Sequence, residues 1–141
     1  MPIGPGSPNP SGMPMFNTAY GLTAHAGGGS AAALMLPAWN NVVTVVATAN
    51  DSVMLPPCYA GAQVIVTNNQ STTNALAVFA YVPTAGAPDG VIGPAVSATA
   101  NSVTVGQFHT TMFLGILGEG GLTQGGVGAS VGGIWKACVC A

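Results

Sequence analysis

Asn50-Asp51-Ser52-Val53-Met54-Leu55-Pro56-Pro57-Cys58-Tyr59-Ala60-Gly61-Ala62-Gln63-Val64-Ile65-Val66-Thr67-Asn68-Asn69 sets the reading of the whole chain. Val53 and Leu55 alternate with Ser52 and Met54, a period of two that marks a strand. Pro56-Pro57 ends it, because neither proline donates a ladder hydrogen bond. Gly61 lets the chain reverse, and the β-branched run Val64-Ile65-Val66-Thr67 closes on the turn dipeptide Asn68-Asn69. The stretch therefore reads as strand, turn, strand: a hairpin to which later strands are added. Asp51 stands at the turn before Val53, where its carboxylate is expected to accept backbone N–H bonds.

Outward from this stretch the same signals repeat. Val42 to Thr48 is apolar on both faces, as in a central or interface strand. Ala75 to Val82, Ser97 to Val105, Phe108 to Leu117 and Ile134 to Cys140 carry strand patterns, with a short apolar stub at Val91-Ile92. Trp135 in the terminal strand is expected to be buried against Val64, Val66 or their neighbours. Ala31 to Trp39 reads as a helical turn or a strand ended by Pro37, and Gly118 to Gly133 as a glycine-rich excursion. No segment sustains a long 3.6-residue period. Short strands separated by turn signals predict an all-β fold, a small antiparallel sandwich or barrel, jelly-roll-like.

Residues 1–17 differ. Pro2, Pro5, Pro8, Pro10 and Pro14 alternate with glycine and small polar residues, which forbids helix and disfavours ladders. This is an extended N-terminal arm ahead of a β-domain over 18–141. Met13, Met15 and Phe16 are its candidate partner-binding anchors.

Composition narrows the function. Of 141 residues, 3% are charged, against about 25% in an ordinary soluble domain. The formal charges are Asp51, Asp89, Glu119 and Lys136, with no arginine. Phosphate recognition needs many cations, so nucleic acid is not an expected partner. A polybasic membrane anchor is absent for the same reason, and no run reaches the 18 or more apolar residues of a membrane-spanning helix. The first 15 residues lack the basic and apolar regions of a secretory signal. A surface this neutral stays soluble when partners cover it, which points to an obligate assembly.

Cys58, Cys138 and Cys140 make neither a disulfide framework nor zinc spacing and read as small hydrophobes. His25 in its glycine-rich loop reads as a hydrogen-bonding residue. Three carboxylates, two histidines and one lysine are scattered with no recognisable catalytic motif. No catalytic residue, cofactor or metal is expected, and the chain is not expected to be an enzyme.

Several segments resemble a recurrent pattern in structural proteins of tailed bacteriophages. They are Leu22-Thr23-Ala24-His25-Ala26-Gly27-Gly28-Gly29, Val43-Thr44-Val45-Val46-Ala47-Thr48-Ala49-Asn50-Asp51-Ser52-Val53-Met54-Leu55-Pro56-Pro57, Ala60-Gly61-Ala62-Gln63-Val64-Ile65-Val66-Thr67-Asn68, Asn74-Ala75-Leu76-Ala77-Val78-Phe79 and Ile134-Trp135. The resemblance spans about Gly21 to Ala141. It implies a virion protein of the capsid decoration or cement type: a β-rich homotrimer assembled in the host cytoplasm and bound to the major capsid protein at the head surface. The alternative is a head-fibre, tail-fibre or spike module binding a host surface glycan.

Overall fold

The computed structural model describes residues 17–30, 32–81, 91–92, 102–117 and 134–140. Within them the chain is all β. Its strands are β1 (Thr18–Thr23), β2 (Leu34–Met35), β3 (Asn40–Val45), β4 (Ser52–Met54), β5 (Gln63–Asn68), β6 (Leu76–Phe79), β7 (Val91–Ile92), β8 (Ser102–Val105), β9 (Thr110–Leu117) and β10 (Ile134–Val139). The expected arm lies outside the described residues apart from Asn17, as does the Gly118 to Gly133 excursion.

The strands form two open sheets. One has six strands in the order β1-β3-β5-β9-β10-β7, the other four in the order β2-β4-β6-β8. From β1 to β6 the chain changes sheet at every step, so strands two apart in sequence lie side by side. Their ladders are parallel: Thr18 faces Asn40, Asn40 faces Ile65, Leu34 faces Val53 and Ser52 faces Ala77. Antiparallel pairing enters later, where β9 joins β5 and β10 and where β8 joins β6.

Two expectations are corrected here. The stretch from Asn50 to Asn69 is not a hairpin, because β4 and β5 lie in different sheets. Pro56-Pro57 does end the β4 ladder, but the chain then crosses the core instead of doubling back. The sheets are also mixed rather than antiparallel, with five of the eight ladders parallel, and neither closes into a barrel.

The crossings repeat in register. Met35 pairs with Met54, so Met35-Leu36-Pro37 stacks on Met54-Leu55-Pro56. The Leu36 N–H donates to the Met54 carbonyl at 2.9 Å, and the Leu55 N–H to the Phe79 carbonyl at 2.8 Å. Both leucines are buried, and each following proline leaves the ladder.

The main core among the described residues lies between the sheets. The six-stranded sheet contributes Val43, Val64, Val66, Phe113 and Trp135, and the four-stranded sheet Val53, Leu76, Val78 and Val105. The alternation in β5 is complete: Val64, Val66 and Asn68 are buried while Gln63, Ile65 and Thr67 are only half-buried. Trp135 is fully buried among these residues, as expected. Its burial at the end of β10 is accompanied by a register shift between Ile134 and Trp135.

Candidate functional site

Asp51 is the single acidic side chain among the described residues. It is fully buried. Its Oδ2 accepts the Thr48 N–H at 2.9 Å, and its Oδ1 accepts the Thr48 hydroxyl at 2.6 Å and the Gly27 N–H at 3.0 Å. The Thr48 hydroxyl, followed by the backbone donors, holds the carboxyl below its ordinary pKa, against the opposing effect of burial. The local cap expected from sequence is therefore present, and it reaches further than expected. Gly27 belongs to the loop after β1, so one carboxylate ties two successive turns of the coil together.

Close backbone approach makes that tie possible. Gly28 has a φ of +70°, and a Cβ there would lie 2.9 Å from the Asn50 carbonyl oxygen. Alongside, His25 and Ser52 exchange backbone hydrogen bonds of 2.8 and 3.0 Å. His25 thus serves as a hydrogen-bonding bridge residue. This arrangement is a structural brace, a buried carboxylate bonded to Thr48 and Gly27 of the chain itself.

A second polar hub lies at the same end of the strands, one turn of the coil further on. Buried Asn68 donates from Nδ2 to the carbonyls of Asn74 and Val105, both at 3.0 Å. Asn74 donates in turn to Val46 at 2.8 Å and Ala47 at 3.0 Å. Gln70, also buried, bonds Thr72 and Asn74. These amides satisfy backbone groups that the crossings leave outside the ladders.

No group of three His, Cys, Asp or Glu side chains able to hold a metal occurs among the described residues. Cys58 is buried, Cys138 and Cys140 are exposed, and none of the three is disulfide-bonded. Met13, Met15 and Phe16 lie outside the described residues.

Two surfaces remain. The first is a groove of about 240 Å³ at the N-terminal ends of β1, β3 and β5. One wall is the crossing Leu36-Pro37-Ala38-Trp39; the other is Pro56, Pro57 and Tyr59; Ala62, Gln63 and Val64 close it below. Asn17 forms its end, with its Oδ1 accepting the Trp39 N–H and its carbonyl accepting the Asn40 N–H, both at 3.1 Å. No lining residue carries a formal charge. Neither Trp39 nor Tyr59 stood out in the sequence, because they belong to separate crossings. The available signal was the repeated Met-Leu-Pro tripeptide, each copy followed within three residues by an aromatic.

The second surface is the outer face of the six-stranded sheet. One row across it is Thr18, Asn40, Ile65, Met112 and Cys138; the next is Tyr20, Val42, Thr67 and Thr110. Gln63, Leu114 and Lys136 form a third. Tyr20, Leu114 and Ile116 are exposed, and Lys136 is the face's single formal charge among the described residues.

No protein-family model, curated protein or solved structure matches this chain. The functional reading therefore rests on these surfaces and on the sequence pattern. No helix among the described residues is long and apolar enough to cross a membrane.

Proposed function

We propose that this chain is a capsid cement or decoration protein. It assembles as a homotrimer, binds the major capsid protein on the outside of a phage head and ties capsomers across their joints. The observation that carries the reading is the outer face of the six-stranded sheet: wide, regular, studded with exposed apolar side chains and nearly without charge. Such a face in a chain with four formal charges is suited to contact with other protein. The phage-like sequence pattern supplies the class of partner. Met13, Met15 and Phe16, adjoining the domain, supply capsid anchors, and three arms on a trimer add their weak contacts multivalently.

The runner-up is a head-fibre, tail-fibre or spike module, favoured by Trp39 and Tyr59 in one groove, since aromatic faces suit sugar rings. Copy number on purified virions separates the two. Hundreds of copies on the head support cement; a few per tail overturn it. Substituting Met13, Met15 and Phe16 by serine should weaken binding to undecorated capsids at least tenfold, about 1.4 kcal/mol, while light scattering still reports a trimer.

A further inference from the structure

We propose that the groove between Trp39 and Tyr59 seats the proline-rich segment Pro2 to Pro8 of a second copy of this chain. The inference goes beyond the cement reading and does not depend on it.

The chemistry of the groove matches one kind of ligand. Its walls are aromatic and proline rings, its charge is nil, and Asn17 and Gln63 are the side-chain amides among its lining residues. A polyproline II strand has no internal hydrogen bonds, so its carbonyls need outside donors while its prolyl rings pack flat on aromatic faces. Tyr59, 54% exposed, offers such a face, and Trp39 lines the same groove. At about 240 Å³ the groove is smaller than the usual 300–1,000 Å³ of a small-molecule cleft and fits a few residues of extended chain.

The chain itself contains that ligand. Pro2, Pro5 and Pro8 recur every third residue, and polyproline II turns once in three residues, so the three rings share one edge. Residues 1–16 carry no charged side chain, which matches an uncharged groove.

Reach selects the copy. Asn17 is the end wall of the groove, so each chain's own arm departs there. The groove spans the starts of three adjacent strands, about 10 Å at strand spacing. The nine residues from Pro8 to Asn17 cover about 28 Å at 3.1 Å per residue, and Pro10 and Pro14 within them oppose folding back. An arm extended to that length would carry Pro2 to Pro8 past its own groove and within reach of a neighbour's. The contact is heterologous, arm to groove, and closes a ring in a cyclic assembly.

The test uses the full-length protein. A photoreactive benzoylphenylalanine replaces Ile3, and ¹⁴N- and ¹⁵N-labelled chains are mixed, dissociated, reassembled and irradiated. Crosslinks from position 3 to peptides carrying Trp39 or Tyr59, with mixed-isotope pairs near half, are expected. Same-isotope pairs only would place the arm on its own chain, and crosslinks elsewhere would empty the groove of it; either result overturns the proposal. A thermodynamic cycle gives an independent check. Tyr59→Ala, and Pro2, Pro5 and Pro8 jointly changed to Ser, should each weaken self-association at least tenfold, and combining them should cost no more than either alone. Additive effects, or a Tyr59→Ala protein that assembles normally but loses binding to host-surface polysaccharide, would show that the groove serves something else.

Discussion

Asp51→Asn should almost abolish the acid dependence of this protein's stability. The chain has three acidic side chains, Asp51, Asp89 and Glu119, so its acid limb is unusually easy to assign. The Asp51 carboxyl is held below its ordinary pKa by the Thr48 hydroxyl first, then by the Thr48 and Gly27 backbone donors. In the sign of the linkage, a lowered folded-state pKa means that the unfolded chain binds more protons at acid pH. The stabilisation is then complete above the unfolded value near 3.8 and is lost as pH falls through the folded value. One group limits the slope to about 1.4 kcal/mol per pH unit. At neutral pH, three hydrogen bonds to a charged acceptor of about 1.5–3 kcal/mol each form an upper bound. Thr48 and Gly27 are exposed residues whose donors return to water when the carboxylate is removed, so Asp51→Ala should cost about 3 kcal/mol and Asp51→Asn about 2 kcal/mol. Urea melts followed by the fluorescence of buried Trp135, at fixed protein concentration from about pH 2 to 5, read both quantities. If Asp51→Asn keeps the wild-type acid slope, the carboxylate is not the brace between the Gly27 loop and the Thr48 turn.

Other substitutions probe the same architecture. Gly28→Ala should lose about 2 kcal/mol in denaturant melts, since its φ is +70° and its Cβ would press on the Asn50 carbonyl. Gly115→Ala should cost about 3 kcal/mol, because a Cβ there collides with the Tyr59 carbonyl beneath the groove, and a stable Gly115→Ala protein would contradict that close approach. Trp135→Ala should cost about 3–5 kcal/mol. Trp135→Phe should cost less than Trp135→Ala, the loss being that of ring volume alone, as the indole Nε1 has no hydrogen-bond partner among the described residues.

Strand positions were legible because β-branched runs and two-residue alternation act locally. Val64 and Val66 point inward and Ile65 outward, as the pattern dictates. Sheet membership was not legible. A proline pair and a glycine say that a ladder stops; they do not say whether the chain turns back in its own sheet or crosses to the other. At Pro56-Pro57 the two outcomes look identical in sequence; in the fold β5 pairs with β3 and β4 with β6, both in parallel. Asparagine misled in a similar way. Asn68 reads as a turn residue, yet it is fully buried and, like buried Asn41, bonds backbone carbonyls. Asp51 was legible as a local cap, but its bond to Gly27 spans a turn of the coil that no local pattern encodes.

The groove follows from the same winding. A buried leucine anchors each of the two Met-Leu-Pro crossings, the next residue must abandon the ladder, and proline does so without stranding a donor. Once two such crossings stack in register, as Met35 on Met54 requires, their prolines line up at the surface and the aromatics that follow flank a common cleft. The cleft is thus fixed by the core: Leu36 and Leu55 cannot shift without opening cavities, so Trp39 and Tyr59 are held at a constant separation. Rigid aromatic walls on a rigid coil favour a rigid ligand, because little conformational freedom remains to be lost on either side. Within this chain the segment of matching stiffness and neutral character is the triplet-spaced proline run from Pro2 to Pro8, and that correspondence gives the isotope-mixing experiment a definite expected crosslink.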